Sequence, residues 1–400
     1  MYETPITGLV LSGGGARAAY QVGVLRAIAQ LRRGTAASPR RSPFGVICGT
    51  SAGAINAAAL ACNADQFDAA VDAIAKVWQD FRAEQVYRAD SLGVIRSGAQ
   101  WLTMLSLGWL AARWRKARPR SLLDNAPLGE LLEHLVPLQR LPRMLRGRHV
   151  QALAVTASNY SSGEHVTFYQ SAAPLPAWVR SQRVAATAEL STAHLLASSA
   201  IPFVFPAAEL PIDGQLEWFG DGSMRQTAPL SPAIHLGAQR LLVIGAGRMH
   251  EPSGRRVANT GYPSLAQIAG HSLSGIFLDA LTADVERLQR INRTLALLSD
   301  EARLATPLRH VEALVIAPSQ RLDEIAARHV EELPTTVRAL LRGLGVSGSG
   351  RAAQGAALAS YLLFEAGYTR ELMALGEADV AARRSEVLGF FGWPAAAAGA

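Results

Sequence analysis

The chain has 400 residues, 49% hydrophobic and 18% charged, which is enough apolar side chain for a large core and too much for a disordered polymer. Its 39 basic and 32 acidic residues give a net charge of +7, yet only two of the basic ones are lysine, Lys76 and Lys116. Arginine scattered through an alanine-rich chain reads as compositional bias on a solvated surface, so no nucleic-acid partner is expected.

The N-terminus has no basic region ahead of an apolar run, so no secretory signal is expected. No stretch of about 18 uncharged apolar residues occurs, so no membrane-spanning helix is expected either. Cys48 and Cys62 are too few for a disulfide framework or a cysteine metal site and point to a reducing, cytoplasmic compartment. Residues 5–11 form an apolar run rich in β-formers and read as a first strand, ended by Ser12-Gly13-Gly14-Gly15. A helix is predicted over about residues 16–31, a loop with two prolines over 35–43, and a second apolar strand over 44–48. Gly49-Thr50-Ser51-Ala52-Gly53 then turns that strand into a helix reaching about Cys62. Strand, helix, strand, helix at this spacing predicts a parallel α/β sheet. Further strands are predicted at 149–158, 165–170, 216–219, 240–245 and 311–317, with helices at 190–199 and 272–298. The tail from about residue 321 has a helical pattern interrupted at 343–350. If the strands near 240 and 311 join the sheet, the chain is one large domain rather than two.

Chemistry concentrates at three points. Gly49-Thr50-Ser51-Ala52-Gly53 is a G-x-S-x-G between strand and helix, the setting of a nucleophile elbow. There Ser51 stands at a crowded turn that needs Gly49 and Gly53, and the following helix turns free N–H groups toward it. Gly13, Gly14 and Gly15 leave backbone N–H groups uncovered, so an oxyanion can approach them; Arg17 is placed to brace that turn or to attract an anion. Parallel strands bring both turns to one sheet edge. Asp221, flanked by Gly220 and Gly222, ends an apolar strand and is free to meet another strand-end loop. None of the nine histidines sits in a comparable loop.

The Gly13–Ala18 turn also fits the G-x-G-x-x-A of a dinucleotide-binding module. That reading expects an acidic residue about 20 positions on, and none occurs between Glu3 and Asp65. An α/β-hydrolase triad fits less well, because its oxyanion glycines follow a third strand rather than a first.

In this order, Gly13-Gly14-Gly15-Ala16-Arg17, Gly49-Thr50-Ser51-Ala52-Gly53 and Asp221-Gly222-Ser223 resemble the patatin-like phospholipases, as do residues 121–128 and 197–206. The resemblance runs from about residue 6 to 236. It departs at Ala18 and Ser223, where the family often has glycine, or glycine or alanine. It implies a three-layer α/β sandwich over residues 6–236, with a mainly parallel central sheet between helices; residues 237–400 are expected to be a C-terminal extension whose strands complete the sheet before a helical part. It implies a Ser51–Asp221 dyad, an oxyanion hole at Gly13, Gly14 and Gly15 with Arg17 nearby, no cofactor or metal, and hydrolysis of phospholipid or other acyl-lipid esters. A catalytically silent interaction protein on the same scaffold is the remaining alternative. Trp101, Trp109 and Trp114 beside Arg113, Arg115 and Lys116 have the composition of a segment that touches an anionic membrane surface.

Overall fold

Strand β1 (Thr7–Leu11) sends Leu9 and Leu11 to one apolar layer and Val10 to another, as the two-residue period of a strand requires. Strand β9 (Arg240–Ile244) repeats this, with Leu242 and Ile244 on the first side and Leu241 and Val243 on the second. Strands apolar at every position must be covered on both faces, and here they are. The computed structural model describes residues 5–35, 41–88, 121–249, 262–346 and 355–394.

Within these residues ten strands make one sheet. The others are β2 (Val46–Thr50), β3 (Ala152–Asn159), β4 (His165–Ser171), β5 (Val179–Arg180), β6 (Arg183–Thr187), β7 (Ala208–Ile212), β8 (Gln215–Asp221) and β10 (Glu312–Ile316). Their order is β10-β9-β1-β2-β3-β4-β6-β5, with β8 beside β3 and β7 beside β8. The five strands from β10 to β3 are mutually parallel. Leu11 is level with Gly49 on one side and Ile244 on the other, so β1, β2 and β9 end at one edge. β9 and β10 thus extend the sheet that β1 begins.

Helices α1 (Ala19–Arg33), α2 (Ala52–Ala61) and α3 (Phe67–Gln79) cover the first face. The helix Ala280–Ala296 covers the second through Leu281, Val285 and Leu288. The C-terminal helix Ala366–Ala382 lies against α1 so closely that a side chain at Gly23 would strike the Met373 carbonyl, and one at Gly376 the Tyr20 carbonyl. Tyr20 seals the contact by donating to Asp379 at 2.8 Å. The architecture is the expected α/β sandwich with helices on both faces and a helical C-terminal region.

Some boundaries moved. β2 begins two residues later than predicted, because pairing with β1 starts at Val46 opposite Gly8. The helix predicted at 272–298 belongs to a rod that starts seven residues earlier and ends two residues earlier: Leu265–Ser274, a π turn at Gly275–Asp279, then Ala280–Ala296. β5, β6 and β7 carry little apolar signal of their own and are held by pairing. Trp101, Trp109, Arg113, Trp114, Arg115 and Lys116 lie outside the described residues. Among the described residues no helix is long and apolar enough to cross a membrane.

Candidate active site

β4 occupies one edge of β3 over nearly its whole length, from Ala152 to Ser158. The other edge is shared: β2 takes Ala152 to Thr156, and β8, running the opposite way, takes Ala157 to Asn159. The two strands therefore arrive end to end. Thr50 is opposite Thr156 and Asp221 is opposite Ala157, so the residue after β2, Ser51, emerges beside the last residue of β8. A hydrogen-bond chain fixes this junction: Gln226 Nε2 donates to Thr50 Oγ1 at 2.8 Å, and Thr50 and Thr156 share a hydroxyl–hydroxyl bond of 2.7 Å.

Ser51 is the N-cap of α2 and has φ 55° and ψ −132°. A non-glycine residue held there carries backbone strain, which persists only where the surroundings enforce it. Enforcement comes from both sides of the turn. A side chain on Gly53 would meet the Leu11 and Ser12 carbonyls at 2.5 Å, and one on Gly49 would strike the start of α2. The Ser51 N–H is tied to Ser198 Oγ at 2.8 Å.

Asp221 is fully buried. Burial pushes its carboxyl pKa up to about 6, with the Ser51 hydroxyl and Ser223 pulling it back down. Oδ1 accepts from the Ser223 N–H at 2.9 Å. The Ser51 hydroxyl is near enough to lower the pKa, yet Oδ2 is a buried acceptor with no donor in hydrogen-bond geometry. The two side chains are thus apposed without a formed hydrogen bond.

The glycine turn lies against the elbow, since it is the Leu11–Ser12 backbone that Gly53 touches. The N–H groups of Gly13, Gly14, Gly15 and Ala16 have no acceptor among the described residues. Gly15 has φ +55° and abuts the Tyr361 carbonyl. Arg17 is buried; its Nε donates to Ser360 Oγ at 2.8 Å and its guanidinium lies 4.1 Å over the Tyr361 ring. It braces the turn from behind. Ser223, one of the two departures noted in the sequence, packs its hydroxyl where a side chain on Gly13 would go.

An apolar cavity opens at Ser51 and Gly15, between α2, α3 and the helix Ala126–Leu135. Ile55, Ile74, Val77, Leu128, Leu132 and Phe205 are among its walls, and no histidine lines it among the described residues. His194, on the same helix as Ser198, is a capping residue: its Nδ1 pairs with Ser191 at 2.9 Å, and burial lowers its pKa to about 4. Sequence reasoning missed Thr156, Gln226 and Ser198. Only Ser198 had a signal, because it stands in the 197–206 block already singled out.

A sequence model described as patatin-like phospholipase matches residues 9–234. Among solved structures, VipD from Legionella pneumophila is 13% identical, with 93% of this chain and 67% of that chain covered at a TM-score of 0.32. The type III effector protein ExoU is 14% identical, with 90% and 77% covered at 0.28. Full-length ExoU in complex with SpcU, from the type III secretion system of Pseudomonas aeruginosa, is 16% identical, with 93% and 71% covered at 0.26. No curated protein matches the chain.

Proposed function

The chain belongs to the patatin-like phospholipase family, a family of lipid hydrolases, and from that premise we propose that it cleaves fatty-acyl esters of phospholipids or lysophospholipids through a Ser51–Asp221 dyad. The observation that carries this reading is the end-to-end meeting of β2 and β8 on β3, which leaves a strained serine beside a buried carboxylate whose Oδ2 has no partner.

In this mechanism Ser51 Oγ attacks the ester carbonyl while Asp221 Oδ2 takes its proton. The tetrahedral oxyanion is received by the N–H groups of Gly13, Gly14 and Gly15, with the N-terminus of α2 adding positive potential. Collapse expels the alcohol, which leaves with the proton from Asp221. Water then attacks the acyl-enzyme with Asp221 again as base, releasing the fatty acid and restoring Ser51. A carboxylate is a weak base in water; burial, which lifts the Asp221 pKa toward 6, brings it closer to the pH at which general-base catalysis is efficient. Arg17 supports the hole through Ser360 and Tyr361 rather than by contact with substrate.

The proposal extends to place: a cytoplasmic enzyme that meets its lipid at the inner membrane surface through the segment containing Trp101, Trp109, Arg113, Trp114, Arg115 and Lys116. Sedimentation with anionic liposomes checks this, since replacing the four basic residues Arg113, Arg115, Lys116 and Arg118 by alanine is expected to lose most of the binding. The dyad is tested by fluorophosphonate labelling read by intact mass. One adduct on the wild type and none on Ser51→Ala supports it. An unlabelled, folded wild type with liposomes present overturns it.

A further inference from the structure

We propose that the Ser223 hydroxyl is a positioning group for Asp221: it donates a hydrogen bond to the carboxylate and keeps it ionised in the acyl-enzyme, when Ser51 has no proton left to share. The inference rests on the reading of Ser51 and Asp221 as the dyad.

The turn that ends β8 holds Ser223 against Asp221. The Asp221 N–H is bound to the Ala200 carbonyl at 3.0 Å. Asp221 then caps the short 3₁₀ helix Gly222–Arg225 by accepting from the Ser223 N–H at 2.9 Å. Between the two, Gly222 is pressed onto β3, since a side chain there would strike the Thr156 carbonyl. Ser223 is therefore fixed, and it is only 4% exposed. Its Oγ fills the point that a Gly13 side chain would take, and the Phe277 ring lies 3.0 Å from that same point. Both neighbours there are carbon and offer no full hydrogen-bond acceptor.

Two polar atoms of this one turn are thus buried without a partner, Ser223 Oγ and Asp221 Oδ2. One can donate and the other, when ionised, can only accept, so pairing them satisfies both. The hydroxyl already bears on the carboxyl: with Ser51 and the Ser223 N–H, it pulls the Asp221 pKa down against the larger effect of burial. No cation acts on Asp221. Tyr160, the titratable side chain that faces it, has its own pKa raised by burial and by Asp221 and stays neutral.

The two hydroxyls differ in when they are available. On acylation the Ser51 proton passes to Asp221 and leaves with the alcohol, and Ser51 Oγ becomes an ester oxygen that cannot donate. Asp221 must then be ionised again to take a proton from water, in a site where burial disfavours charge. Ser223 stands outside the bonds that form and break, so its donor persists through both half-reactions.

The test is the pH profile of Ser223→Ala, which removes one unpaired atom and keeps the N–H bound to Oδ1. Loss of a donor to a carboxylate raises its pKa, so the acid-limb midpoint is expected to move up by about one pH unit. The shift is read in kcat/KM for p-nitrophenyl butyrate, which reports the free enzyme, and in the single-turnover rate of deacylation, which reports the acyl-enzyme. The ratio of activity at pH 9 to that at pH 6 then rises from about 2 to about 10. Ser223→Gly, a second variant without the hydroxyl, is expected to show the same shift. A deacylation midpoint unmoved in both variants, or a loss equal at every pH, overturns the role of Ser223 while Ser51 labelling stands. Loss of Ser51 labelling in the wild type overturns the dyad, and this role with it.

Discussion

Asp221 carries two opposed demands. As the proposed base it must be ionised, and burial raises its pKa to about 6; kcat/KM is therefore expected to climb with pH through about 6 and level above it, and a pH–rate profile checks the midpoint. The same burial costs stability. The folded pKa lies above the unfolded value of about 3.9, so the folded state holds a proton that the unfolded state has already released between these limits. Stability is full below about pH 4, declines as pH rises through 6, and above that is lower by about 3 kcal/mol. Asp221→Asn removes the penalty and keeps the acceptor for the Ser223 N–H. It is expected to be nearly inactive yet more stable than the wild type at pH 8, the difference closing toward pH 4 in denaturant titrations. An active Asp221→Asn enzyme refutes the dyad. Both residues were legible in the sequence, Ser51 from its elbow and Asp221 from its glycines and the family resemblance. The buried, unpaired state of Oδ2 was not legible, because burial belongs to the whole neighbourhood.

Two elements that never touch in sequence make the site: β2, whose turn holds Ser51, and β8, which ends in Asp221. Their relative position is set by β3, and the lock on it is Thr156. Thr156→Val keeps the shape of the side chain and removes its bond to Thr50. Catalytic groups displaced by about 1 Å can lose about 100-fold in rate, so a fall in kcat of about tenfold or more is expected. KM and the acid limb of the pH profile should stay unchanged. An unaltered kcat would mean that strand pairing alone holds the junction. A threonine inside a buried strand carries no sequence signal for this role, since β-branched residues fill such strands for packing alone. The strand boundaries were read to within a few residues for β1, β2, β3, β4, β8, β9 and β10. β5, β6 and β7 escaped because short paired strands with exposed faces lack a periodic apolar signature.

The region 237–400 is where the molecule as a whole departs most from a reading by blocks. β9 lies between β1 and β10, Arg17 is held by Ser360, Tyr20 by Asp379, and the Trp78 carbonyl by Thr369 at 2.6 Å. We propose that residues 6–236, though they carry all the motifs, do not fold without the rest. A fragment ending at residue 236 is expected to show no cooperative thermal unfolding and no Ser51 labelling, and a well-folded, labelled fragment would restore two independent domains. The sequence by itself determined the local frame in which the proposed chemistry is set. A glycine turn, a serine elbow and a strand-end aspartate are constraints on single backbones, and a few adjacent residues suffice to write them. Tertiary structure alone decided that β8 meets β2 on β3, that helix 366–382 packs on α1 behind the glycine turn, and that an apolar cavity lies along α2 from Ser51. Those facts depend on residues 60 or more positions apart meeting, and pairing at such range is fixed by the packing of the whole core rather than by any local pattern.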